Sequence, residues 1–366
     1  MHPRLRRLLP RFGAAFLGVA IPLGGLEMYL RRTTPPARPS FNIICTPACP
    51  EVFRLNPARG DVSSQGFRDR VFTPQPAPGV TRIMVLGDSL PYGLSVTPAQ
   101  TFPKVAERLL GAGAELVNTG AAAYSPYNER ALYVTRGREL HPSVVLLSIC
   151  LNDVADPLLH WGTRVAGAAS AVPEAAIPNP AYHRDHVLPE WQKFQQTQRS
   201  QNGRLRKTAI YQRLFAPLGG PSVPDVTIAG EGGQRFSAFL VGEDTLSIEV
   251  LLDPKTPEWT WLRAQLDGLV ADVRADGAEP LLLINPLSYQ LQPGYPAFPQ
   301  RVFADYCTER GIRCLDVLPA LREAGGEKLF LGKHSKGVLD VWHYTSEGHE
   351  VVGKAVADWL RGIIKK

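Results

Sequence analysis

Short aliphatic runs recur along this chain, separated by longer segments whose apolar positions fall at helical spacing. Arg82-Ile83-Met84-Val85-Leu86 reads as a buried strand, and Thr101–Leu110 follows as a helix with Thr101 available as its N-cap. Glu115–Asn118 is a second short strand, Pro126–Leu140 a helix, and Ser143–Ile149 a third strand. The rhythm resumes with a helix at Trp259–Asp276, a strand at Pro280–Asn285, a helix at Pro299–Arg310 and a strand at Ile312–Asp316. An amphipathic helix over Glu347–Ile364 closes the chain. Apolar strands alternating with helices predict an α/β fold whose parallel sheet is covered on both faces. Right-handed crossovers leave few topologies, of which a doubly wound five-stranded parallel sheet is the one expected. Ligands in such sheets bind beyond the carboxyl ends of the strands, so functional residues should follow strands directly.

Two stretches break the rhythm. From about Asp156 to Pro257 no strand–helix alternation is evident, and a structureless loop of that length is improbable inside a domain. It reads as an insertion with partial structure of its own, a lid or a solvated helix hairpin, with a locally basic helical segment at Pro189–Phe215. The other stretch is the N-terminal arm, residues 1–38, ahead of one large domain over 39–366. Here MHPRLRRLLPR precedes an apolar run at 12–30, and RRTTPPARPS follows. The run approaches the roughly 20 residues that span a bilayer, although Pro22 and Glu27 interrupt it. No small-x-small cleavage site follows, which favours a transmembrane anchor over a removed signal segment. Basic groups flank both ends, with a mild bias toward a cytoplasmic N-terminus and an extracytoplasmic body, periplasmic or at the cell surface.

Charge sharpens this picture. Seven of the 40 basic groups and one of the 34 acidic groups lie in 1–38, leaving 33 of each for the rest. The main body is therefore neutral, which removes the basic face that nucleic-acid binding needs. Cys45/Cys49 and Cys307/Cys314 form two close pairs with Cys150 left over, so each pair is either a disulfide or two free thiols. No histidine lies at ligand spacing from either pair, so no zinc site is expected.

The first strand runs into VLGDSLPYG, where Gly87 and Gly93 allow a tight turn and Ser89 sits just past the strand end. Three further segments accompany it in order: Asn118-Thr119-Gly120 after the second strand, Leu151-Asn152-Asp153 after the third, and Asp340-Val341-Trp342-His343 before the last helix. Together these resemble the four sequence blocks of the SGNH (GDSL-type) hydrolases, over about residues 80–160 and 280–360. The upstream SSQGFRDR at 63–70 is similar to the lead-in of membrane-linked members, some involved in polysaccharide O-acetylation. One departure is Cys150, which holds the position where the third block usually has glycine.

The resemblance implies the flavodoxin-like SGNH fold, with Ser89 as nucleophile, His343 as its base and Asp340 orienting that base on a loop. It further implies an oxyanion hole made by the Ser89 and Gly120 backbone N–H groups and the Asn152 side chain. The expected substrate is an ester, an acylated polysaccharide or lipid among the candidates. The acyl-enzyme would be resolved either by water or by a sugar or lipid hydroxyl, and a catalytically silent scaffold is the reading from another class. Asp88 and Asp153 are expected to be turn hydrogen-bonders, His349 structural, and His334 a surface residue. Ser125 has no base beside it in any block, and Trp342 either lines a pocket or packs. No metal, phosphate-loop or nicotinamide pattern occurs, so no cofactor is expected.

Overall fold

The computed structural model describes residues 18, 22–29, 43–44, 51, 54–58, 60–122, 124–154, 227–229, 235–237, 240–241, 246–247, 255, 257–333 and 339–364. Residues 1–40, 195–222 and 333–339 form one compact unit, and the remainder forms a second that holds the sheet. In the first, a helical stretch covers 22–29, with Leu23, Leu26, Met28 and Tyr29 exposed. Among the described residues no helix is long and apolar enough to cross a membrane. Apart from Gly18, the rest of the apolar run at 12–30 lies outside them, as do Cys45, Cys49, His334 and the segment Pro189–Phe215.

Five strands make the central sheet: β1 (Thr81–Gly87), β2 (Ala114–Asn118), β3 (Val144–Cys150), β4 (Glu279–Asn285) and β5 (Arg313–Asp316). They run parallel in the order β5-β4-β3-β1-β2, with Val85 beside both Leu146 and Asn118. Ile83–Leu86, Val145–Leu147 and Leu281–Leu283 are fully buried, as unbroken aliphatic runs must be when helices cover both faces. The helices are α1 (Ser89–Tyr92), α2 (Phe102–Leu110), α3 (Pro126–Leu132), α4 (Pro257–Ala275), α5 (Phe298–Arg310), α6 (Leu318–Ala324) and α7 (Ser346–Ile364). α2 packs on α7, and α3 packs on α4. Strand order reverses at β1, so the crevice between the carboxyl ends of β1 and β3 is the switch point of the sheet.

Two expectations need correction. The segment Asp340–His343 is not a loop: it lies in β7 (Leu339–Tyr344), paired with β6 (Phe330–Lys333), and its β-branched and aromatic Val341, Trp342 and Tyr344 suit a strand. The helix expected to Leu140 stops being α-helical at Leu132 and passes through a π turn, Tyr133–Gly137. There the Thr135 hydroxyl donates back to the Ala131 carbonyl at 2.7 Å, a bond that competes with the regular helix ladder. Of the two states left open for Cys307 and Cys314, the structure shows two thiols and not a disulfide, and Cys150 is a third thiol, buried in β3. Of the 156–257 insertion, two small antiparallel pairs are described, Thr227–Ala229 with Arg235–Ser237 and Leu240–Val241 with Leu246–Ser247.

One cation anchors the far end of the sheet. Arg82 is 1% exposed and donates to the carbonyls of Thr73, Pro74 and Leu140 at 2.7, 2.8 and 2.6 Å, and to Glu115 Oε1 at 2.7 Å. Arg82→Met keeps the stem but strips those acceptors of their donor. It should cost about 3 kcal/mol, read as a lower urea midpoint at unchanged slope. The thiols give a second expectation. The Cys307 thiol donates to Cys314, which pulls the half-exposed Cys314 down to about 7, while that bond and burial push Cys307 up. Cys314 should therefore react first with a disulfide reagent at neutral pH, and Cys314→Ser should abolish that fast phase; a fast phase that survives would contradict the pairing.

Candidate active site

Past Gly87 the chain turns sharply into α1. A Cβ on Gly87 would lie 2.6 Å from Pro91 Cγ and 2.9 Å from the Ser148 carbonyl oxygen, so only glycine fits. Asp88 caps the turn, its Oδ1 accepting from the Leu90 N–H at 2.9 Å. Gly93 ends α1 in the left-handed region (φ 72°), its N–H donating to the Ser89 and Leu90 carbonyls at 3.0 and 3.1 Å. Ser89 thus sits at the first position of a single helical turn, directly beyond the carboxyl end of β1.

The turn is held from outside by residues of the upstream segment. The Arg68 guanidinium, itself buried, donates to the carbonyls of Tyr92, Gly93 and Val96 at 2.7, 2.8 and 2.7 Å, and to Asp61 at 2.9 Å. Asp69 accepts from the Asn118 N–H at 2.9 Å, and the Asn118 side chain donates to the Pro91 carbonyl at 2.7 Å. Arg68 and Asp69 belong to SSQGFRDR and Asn118 opens Asn-Thr-Gly, so the stretches were visible in the sequence. Their work as clamps on α1 was not.

His343 brings its Nε2 to 2.9 Å from Ser89 Oγ, across 254 residues of chain. Its Nδ1 lies 2.9 and 2.8 Å from the two carboxylate oxygens of Asp340. A carboxylate accepts only, so Nδ1 carries the proton and Nε2 is left to accept from the serine hydroxyl. Asp340 is fully buried, and its Oδ1 also accepts from the backbone N–H groups of Trp342 and His343 at 3.2 and 3.1 Å. The Ser89 hydroxyl has a second neighbour in Asp88 Oδ2 at 3.3 Å.

The expected oxyanion donors are placed less simply. Gly120 lies where a Cβ would meet the Tyr92 nitrogen at 2.5 Å, so the loop after β2 rests directly on α1. Its N–H donates to Asn118 Oδ1 at 3.1 Å, so an oxyanion would have to draw that donor from a neutral amide oxygen. A charged oxygen is the stronger acceptor. Asn152 falls in the short helical turn Leu151–Val154 straight after β3, and its side chain lies outside the described residues. Asp153 accepts from the Cys150 N–H at 2.9 Å, a turn bond made without the glycine expected at 150.

The rival residues have other work. His349 Nδ1 accepts from the Phe102 N–H at 3.2 Å, and burial pushes its pKa down to about 3, so it stays neutral and structural. Ser125 caps α3 with Asn128, and Trp342 packs against the core. Among the described residues no group of three metal-ligating side chains occurs.

Glu129 of α3 escaped notice in the sequence. It is completely buried, and neither carboxyl oxygen has a hydrogen-bond partner among the described residues. Burial, and secondarily the nearby Asp88, push its pKa well above the ordinary carboxyl value of 4.5, so it folds protonated. A raised folded value means full stability below about 4.5 and a loss as pH climbs toward the folded value. Glu129→Gln, neutral and similar in shape, should flatten the fall in urea midpoint between mild acid and neutrality; an unchanged slope would contradict a buried proton there.

No protein-family model matches the chain, and no curated protein matches it. Solved structures do superpose on it. One is the psychrotrophic esterase EstA from Pseudoalteromonas sp., 10% identical over 78% of this chain and 100% of that one, with TM-score 0.39. Another is a member of the lipolytic protein G-D-S-L family from Veillonella parvula DSM 2008, 10% identical over 76% and 97%, with TM-score 0.38. A third is a catalytic mutant of Axe2, an acetylxylan esterase from Geobacillus stearothermophilus, 14% identical over 76% and 94%, with TM-score 0.37. The likeness is too distant to assign a role to any residue.

Proposed function

We propose that this chain is a serine hydrolase that cleaves a carboxylic ester through an acyl-enzyme on Ser89. One observation carries the reading: the Ser89 hydroxyl, the His343 imidazole and the Asp340 carboxylate form a continuous hydrogen-bonded line with separations of 2.9 and 2.8 Å. A hydroxyl is a weak nucleophile until a base removes its proton as it attacks. His343 Nε2 takes that proton, and Asp340 holds the tautomer and stabilises the imidazolium. The carbonyl oxygen gains charge as Ser89 Oγ bonds to carbon, and the Ser89 and Gly120 N–H groups with the Asn152 amide receive it. His343 then protonates the departing alkoxide. In the second half, water attacks the acyl-serine with His343 again as base, and the carboxylic acid leaves. A sugar or lipid hydroxyl taking the place of that water turns the same site into an acyltransferase.

The N-terminal arm completes the proposal by holding the chain at a membrane, with the catalytic domain on the extracytoplasmic side. In support, the helical stretch at 22–29 exposes Leu23, Leu26, Met28 and Tyr29, and arginines flank the apolar run on both sides.

A fluorophosphonate probe should label the wild-type protein at Ser89 and fail to label Ser89→Ala. With p-nitrophenyl acetate, Ser89→Ala and His343→Ala should each lower kcat by about 10⁴-fold or more. Asn152→Ala should lower it by about 10²–10³-fold with KM little changed. A wild-type protein that is neither labelled nor active on esters of any acyl length would overturn the reading. Acetylated oligosaccharide forming faster than free acetate would assign transfer rather than hydrolysis.

A further inference from the structure

We propose that Asn285 is the positioning residue that sets the reach of His343 to Ser89, acting through the hydroxyl of Tyr344; the inference rests on the serine-hydrolase reading above. Asn285 is the last residue of β4, fully buried at the carboxyl edge of the sheet and paired in register with Cys150. Its Nδ2 donates to the Ile149 carbonyl at 2.9 Å and to Ser148 Oγ at 3.0 Å, while its Oδ1 accepts from the Tyr344 hydroxyl at 3.1 Å. The orientation of the amide is fixed by chemistry, since a backbone carbonyl only accepts and must face the NH₂ group.

The importance of this bond follows from what moves with what. Asp340 and His343 share β7, so the carboxylate orients the imidazole without fixing either against Ser89. Tyr344, the next residue, turns the strand into a strut. Its ring is buried edge-on against Phe330, with centroids 4.9 Å apart at 64°, and against His349 at 5.6 Å and 85°. Its hydroxyl reaches the β4 edge through Asn285, and its carbonyl accepts from Ser95 Oγ at 2.8 Å, just past the end of α1. On the other side, Ser148 stands beside Gly87 in register, two residues before the nucleophile. One side-chain amide therefore connects the strand bearing the base to the strands that carry the nucleophile turn.

The test uses the full chain with Tyr344→Phe, which keeps the ring and removes the hydroxyl, and Asn285→Leu, which keeps the volume and removes the amide. In both, kcat on p-nitrophenyl acetate should fall about tenfold while KM moves less than about twofold. Fluorophosphonate labelling should slow in the same proportion. The downfield proton signal of His343 Nδ1–H on Asp340 should broaden or shift in both variants, a change that loss of stability alone does not produce. Wild-type kcat and an unaltered signal in a folded Tyr344→Phe protein would overturn the inference, as would a lower urea midpoint accompanied by neither change. The proton signal needs no turnover, so it decides the positioning role even if the wild-type protein proves inactive on esters.

Discussion

The meeting of Ser89 and His343 depends on the reversal of strand order at β1. Because β2 lies on one side of β1 and β3 on the other, the loops that leave their carboxyl ends diverge and open a crevice between them. Ser89 follows β1 and the Asn152 turn follows β3, so each borders that opening by topology alone. The His343 strand comes from outside the sheet and has to be brought to it. That is why so many buried polar groups gather on this rim. The buried Ser148, Asn285 and Tyr344, joined by the exposed Ser95, replace with directional bonds the apolar contact that holds the rest of the molecule together.

The balance of forces differs between the two ends of the sheet. At the amino end, Arg82 gathers three carbonyls and a carboxylate, a charged cluster that ties β1 to β2 and to the segments at 73–74 and 140. At the carboxyl end, the carboxyls are held in different states. Asp340 receives several donors, whereas Glu129 has none among the described residues and keeps its proton. Burying an ionised carboxylate without partners costs far more than burying the acid, so placement decides the charge. A second anion beside Asp88 is avoided in this way.

The sheet was legible because its central strands are buried on both faces and therefore carry unbroken aliphatic runs, as Val144–Leu147 and Leu281–Ile284 show. Ser89, Asp340 and His343 were legible as residue types at the ends of recognisable segments. What escaped were relations between segments. Nothing local marks Asn285 as a partner of Tyr344, or Arg68 as a clamp on the Tyr92 and Gly93 carbonyls, since each pairing depends on elements brought together by the fold. The π turn at Tyr133–Gly137 escaped for a different reason, because a hydroxyl bonding back by four residues leaves no trace in hydrophobic periodicity. The Gly120 N–H was anticipated as a donor, but its engagement with Asn118 lies in side-chain geometry that spacing does not encode.

The contact between Gly120 and Tyr92 has one more consequence. With 2.5 Å between a notional methyl and the Tyr92 nitrogen, position 120 admits no side chain of any kind. Two segments so closely laid together leave no room for a side chain at 120 unless the turn that carries Ser89 shifts. On the proposed hydrolase reading, the choice of acyl group falls to other stretches of chain, because this junction is backbone laid on backbone.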